Sequence, residues 1–166
     1  IHADVKVDGQ IRDVYLCASE DFKESGESKV AFDAFWEKEA HKEESAMEFC
    51  IRNGWEEYIY QMLVVDFLIL NRDRHGANIE VLRNSKKKEI RLAPLFDHGL
   101  SFLCRCHKEM QVDQFDVMED KSVQSFVGGR SAFKNLELIP KEDRNESAET
   151  SVPSDVTSEV IEELSA

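Results

Sequence analysis

The stretch "LVVDFLILNRDRHGANIEVL", Leu63 to Leu82, changes character halfway along. Met62 to Leu70 is apolar at nearly every position, so a helix running from about Trp55 to Leu70 would be apolar around most of its circumference. Such a helix belongs inside a core. Its C-terminal end is expected to lie in that core and to deliver Asn71-Arg72-Asp73 to a fixed place. The polar loop that follows carries Asp73, His75 and Asn78. Next, "IEVL" and "IRL" flank Asn84-Ser85 and three lysines, which predicts a β-hairpin leaving the loop directly. The hairpin ends at Pro94, just before Phe96-Asp97-His98-Gly99.

Upstream, "VKV" and "VYL" bracket Asp8-Gly9, a turn pair that accepts positive φ, so Asp4 to Leu16 reads as another hairpin. After a polar loop, apolar residues from Val30 to Trp55 recur at helical spacing, with a break expected near His41 to Ser45 and a stop at Asn53-Gly54. Trp36 and Trp55 read as core or interface residues. Gly128-Gly129 lacks the spacing of a phosphate loop and reads as a turn between helices. From Lys141 onward the chain is acidic and rich in Ser and Thr, without aromatics. A mobile connector is expected there, with a short terminal helix over Val156 to Leu164.

The chain has 166 residues and a formal net charge of -13. Phosphate backbones and anionic bilayers attract positive surfaces, so this balance argues against direct nucleic-acid and membrane partners. Cys17, Cys50, Cys104 and Cys106 match neither a disulfide framework nor a paired zinc motif. They read as reduced thiols, which places the protein in the cytoplasm. The apolar run is too short to span a bilayer. The chain opens on Ile1 rather than methionine, so a processed product or a piece of a longer chain is expected.

The order of parts carries chemistry. Phosphoryl transfer needs a carboxylate to orient the attacking hydroxyl and accept its proton, and oxygen ligands for magnesium. A short hairpin can return a second carboxylate to the cleft that holds the first. Asp73 and Asn78 stand five positions apart, the Asp-to-Asn spacing of protein-kinase catalytic loops, and Asp97-His98-Gly99 takes the place of the Asp-Phe-Gly element.

In these residues the sequence resembles the HipA-like serine/threonine kinases, a bacterial branch with a protein-kinase-like fold. "NRDRHGAN" is similar to that family's catalytic loop, "LAPLFDHG" to its metal-binding aspartate segment, and "DFLILN" to the approach of its helix. The Asp-Arg-His-x-x-Asn pattern is also similar to that of phosphatidylinositol 3- and 4-kinases. The detailed likeness spans roughly residues 54–102. It implies that Asp73 is the catalytic base or substrate-orienting carboxylate. By the same likeness His75 supports the loop or touches the transferred phosphate, and Asn78 and Asp97 hold Mg2+ for ATP. Arg72 and Arg74 are less defined, one of them being expected to pair with an acid rather than with ATP. Backbone groups at Tyr15, Leu16 and Cys17 would meet adenine at the hinge.

The resemblance therefore implies an α+β fold: a mainly helical protein-kinase-like C-lobe with short antiparallel hairpins and the N-lobe largely absent. The expected organisation is a hinge-proximal hairpin over 1–20, the C-lobe over 21–140 and an acidic tail over 141–166. Neither the strand lysine nor the phosphate-covering loop of an N-lobe is found. The function implied for the parent is ATP- and magnesium-dependent phosphorylation of a protein substrate. The alternatives are a kinase-derived binding module without turnover and a lipid-kinase-like phosphotransferase. An antitoxin-like or N-lobe partner chain is implied by the family's toxin–antitoxin pairs.

Overall fold

The structure is a computed structural model that describes residues 2–15 and 21–141, with the side chain of Tyr15 outside that description. Five short helices and three small sheets are intermixed along the described chain. Only α3 exceeds eight residues, so the unit is a mixed α/β domain rather than a mainly helical one.

Strands β1 (His2–Val7) and β2 (Gln10–Tyr15) pair antiparallel as a sheet of their own. Asp8 and Gly9, with φ of 51° and 82°, make the turn anticipated from their sequence. Strand β3 (Glu27–Ala31) adds to the antiparallel pair β5 (Glu80–Asn84) and β6 (Glu89–Leu92), in the order β3-β5-β6. The hairpin after the polar loop is thus the far part of a three-stranded sheet. The three lysines at 86–88 lie exposed in its turn.

Two helices replace the long apolar segment that precedes the motif. Helix α1 (Phe32–Glu39) stops at Ala40, and α2 (Ala46–Arg52) starts at Ser45. The stop and start have a local cause. Ser45 Oγ accepts from Glu48 N while the Glu48 carboxylate accepts from Ser45 N, a reciprocal box that satisfies two free helix donors. Helix α2 ends at Asn53 and Gly54, the latter with φ of 71°. Helix α3 (Glu56–Leu68) follows.

The core lies between α1, α2, α3 and the inner face of β5. Phe32, Phe49 and Trp55 meet ring to ring, and Phe126 closes on Phe32 at 5.4 Å between centroids. Trp36 and Trp55 pack against this cluster, as expected of core residues. Helix α3 contributes Ile59, Met62 and Leu63, each worth about 1.5–3 kcal/mol when removed from water.

Its last turn departs from the all-round burial expected of it. Leu68 is 68% exposed, and Val64 and Val65 are half-buried. The helix lies on the core with one face, and that face carries Asp66 as well as apolar residues. Among the described residues no helix is long and apolar enough to cross a membrane.

Candidate functional site

Everything at the site depends on how α3 ends. Leu70 takes the left-handed conformation with φ of 55°, where a glycine is usual. The Leu70 N–H donates to Phe67 O at 3.1 Å and the Asn71 N–H to Asp66 O at 2.8 Å. These two bonds are the Schellman pattern, and they turn the chain sharply back along the helix end. Asn71 then locks the turn. Its Nδ2 donates to Asp66 Oδ1 at 2.8 Å, and its Oδ1 accepts from Asp73 N at 3.3 Å.

Residues 72–74 are next held on both sides. Arg72 N donates to Leu100 O at 3.1 Å. On the other side Asp73 and Arg74 form β4 (Asp73–Arg74), which pairs parallel with β7 (Gln124–Ser125). Gln124 N and Phe126 N donate to Arg72 O and Arg74 O, each at 2.9 Å. The loop is therefore fixed by backbone bonds to segments 28 or more residues away in sequence.

Arg74 is the centre of the arrangement. It is 2% exposed, and its Nε and Nη2 meet the two oxygens of Asp66 at 2.9 and 2.7 Å. This fork-to-fork geometry is what makes burial of both charges tolerable. The remaining donors reach further. Nη1 donates to Asn78 O at 3.0 Å and to Phe96 O at 2.7 Å, and Nη2 lies 3.2 Å from His98 Nδ1. One buried side chain thus ties α3, the polar loop and the 96–98 segment together.

The anticipated site residues stand around that knot. Asp73 is half-buried, with Oδ2 3.9 Å from His75 Nε2. Asn78 is buried at the end of a short 3-10 turn (Gly76–Asn78) and donates from Nδ2 to Asp73 O at 2.9 Å. Gly76 is needed where this turn crosses α1, because a Cβ there would sit 2.6 Å from Asp33 Cβ. Asp97 is exposed, and its φ of 52° is a conformation that aspartate tolerates better than most residues. The two arginines divide as expected of them: Arg74 pairs with Asp66, and Arg72 has no acidic partner among the described residues. Leu16 and Cys17 lie outside the described residues, and Tyr15 contributes only the backbone end of β2, so the adenine contact falls beyond what is described.

Asn78 and Asp97 offer oxygen donors suited to a hard cation. No described donor bonds Asn78 Oδ1, and Asp97 has no ion pair among the described residues. Among those residues no group of three or more His, Cys, Asp or Glu converges as a metal cage. A cation held by Asn78 and Asp97 would fill its shell with water and phosphate oxygens, which is how Mg2+ usually binds.

A solvent-open cavity of about 600 Å3 adjoins the loop, with Asp73 in its wall. Gly128 and Gly129 also border it, yet they do not present free N–H groups. Gly128 N donates to Ser125 Oγ and Gly129 N to Asn135 Oδ1. A Cβ at Gly128 would collide with the Asn135 amide, so this glycine serves close packing within a turn.

Asp66 was not singled out from the sequence, and Asn71 was read only as part of the segment that the helix delivers. The available signal was a lone acid inside an apolar helix, eight residues before Arg74. Comparison with family models, curated proteins and solved structures returned no match.

Proposed function

We propose that the chain carries the metal-binding and acceptor-orienting half of an ATP- and magnesium-dependent phosphotransferase, a HipA-like serine/threonine kinase with a C-lobe fold. The observation that supports this reading best is the reach of Arg74. It bonds the backbone of Asn78 and Phe96 and touches His98, so the residues flanking Asp97 are drawn to the loop that holds Asp73 and Asn78. A chance match to a short motif gives no reason for its two halves to share one buried clamp.

In this reading Asp73 accepts the proton of an acceptor Ser or Thr hydroxyl as its oxygen bonds the γ-phosphorus and the bond to the ADP oxygen breaks. Asn78, held by its own Nδ2, and Asp97, held by the flanking bonds, bind the cation through oxygen. Bound magnesium would offset the charge of the phosphates. His75, 3.9 Å from Asp73, stands beside that carboxylate, within reach of a transferred phosphate in this reading.

Titration with Mg2+ and a non-hydrolysable ATP analogue tests the proposal. Asp97→Ala should weaken the magnesium-dependent response by roughly tenfold or more, about 1.4 kcal/mol. Asp73→Asn should leave that response intact and lower phosphate transfer by on the order of 10²–10⁴-fold. Identical titrations for wild type and Asp97→Ala would remove Asp97 from the site. Nucleotide binding with no transfer to any acceptor would assign the chain to a binding module.

A further inference from the structure

The cavity beside Asp73 has a composition that the rest of the chain does not share. The protein has 34 acidic residues against 21 basic ones, yet Arg72, Arg105 and Arg130 all line this cavity. Among the described residues Asp73 is the only acid in its wall. None of the three guanidinium groups has a carboxylate within ion-pair distance among the described residues. Elsewhere among the described residues Arg52, Arg74 and Arg91 each take one at 2.6 to 2.8 Å, while Arg12 and Arg83 do not.

Arg72 adds an independent sign. Its Nε is buried without a hydrogen-bond partner, and its guanidinium stacks over Phe115 at 5.6 Å. Its Nε is thus left without a protein acceptor, so no carboxylate of the described chain competes for this guanidinium. Ser122 and Ser125 supply further polar wall. The volume of about 600 Å3 is enough for a few residues of extended peptide.

Position decides what the cavity takes. Asn78 and Asp97, the donors assigned to the metal and hence to the nucleotide, are not in its wall, whereas Asp73 is. The cavity is therefore on the acceptor side of the proposed base. We infer that it binds the phosphoacceptor as a peptide whose Ser or Thr is flanked by anionic side chains, with Arg72, Arg105 and Arg130 as the specificity-determining residues. This inference rests on the phosphotransferase reading for the word acceptor, but the binding itself requires neither nucleotide nor turnover. Arginine suits the role because its planar fork pairs with carboxylate or phosphate through two parallel bonds.

The test is fluorescence anisotropy on the 166-residue chain without nucleotide, using labelled seven-residue peptides with a central serine. One has glutamate flanks, one has phosphoserine flanks and one has lysine flanks. The two anionic peptides should bind and weaken with added salt, and the lysine peptide should not. Arg105→Ala/Arg130→Ala, both exposed and without described ion pairs, should keep the native circular dichroism and lose roughly tenfold or more in affinity. Arg72→Gln should act in the same direction. Glutamate and phosphoserine arms distinguish an acidic substrate from a primed one. Equal binding of the lysine peptide, unchanged affinity in the double variant, or preferential binding of vesicles containing a phosphorylated phosphatidylinositol would overturn the inference. Asp97→Ala should leave peptide affinity unchanged. Failure of the nucleotide titration and failure of this one are thus separate results.

Discussion

Arg74 raises the question of why a fold would bury a charge so completely. Its partner Asp66 is 9% exposed, and the pair sits under the loop rather than at the surface. Taking two ions out of water is expensive, and the return depends on every donor being used. Arg74 uses Nε, Nη1 and Nη2, so the pair is satisfied and also bridges three segments. Arg74→Met should cost about 3–5 kcal/mol in urea denaturation, because Asp66 is left buried and alone. The double variant Asp66→Leu/Arg74→Met should recover much of that loss, yet remain without the ties to Asn78 and Phe96. Its magnesium-nucleotide response should therefore stay low although the protein is folded. A neutral Arg74→Met would mean that the clamp is incidental. The contrast also marks what the sequence made legible at this scale. Asp73, Asn78 and Asp97 could be named because their spacing is itself a pattern. Asp66 could not, since its partner is chosen by the reversal at Leu70, and no glycine signals that reversal.

Among the elements, the most readable was the break between α1 and α2. The sequence predicts a break near His41 to Ser45, and the structure puts the start of α2 there, at the box formed by Ser45 and Glu48. The structure adds a brace across the break. Arg52, in the last turn of α2, reaches Glu44 at 2.6 and 2.9 Å and Glu39 O at 3.2 Å. The hydrogen bonds from Arg52 hold the Glu44 carboxyl well below its usual range, at about 2. The sign follows from that depression. A carboxyl whose folded pKa lies below its unfolded one stabilises the fold above the unfolded value and loses that contribution as pH falls toward the folded one. Arg52→Met should therefore melt at a lower temperature than wild type at pH 7. The gap should narrow below about pH 4.5 and be smallest near pH 2, where the bond to Glu39 O remains. Thermal melts at pH 7, 4 and 2 would check it, and a gap that is constant across the three would show that the brace acts by packing alone. Less readable was the end of α3. A circumference of apolar residues promised burial on all sides, but the helix meets the core with one face, and Leu68 is left outside.

For the molecule as a whole, local pairings were legible and distant ones were not. Both hairpins announce themselves through adjacent strands and a turn between them. Strand β3 gives no such sign: "ESKVA" does not alternate cleanly, and its partner β5 begins 49 residues after β3 ends. The β4–β7 pair, two residues on each side, is below what any periodicity can reveal, although it fixes Asp73. These long-range pairings divide the described chain by stability. Strand β5 has neighbours on both sides and fully buried Val81 and Leu82, while β1 and β2 have only each other and mostly exposed side chains. A two-stranded hairpin by itself is marginal in water, whereas a central strand over a core opens only with the whole fold. Hydrogen exchange followed by mass spectrometry should therefore find the amides of residues 3–14 exchanging orders of magnitude faster than those of 80–84. Nucleotide with magnesium should slow residues 71–78 and 96–99 without protecting 80–84 further, because that strand already opens only with global unfolding. If residues 3–14 were as protected as β5 in the free chain, the hairpin would be part of the same cooperative unit. The division at residue 20 would then have to be abandoned.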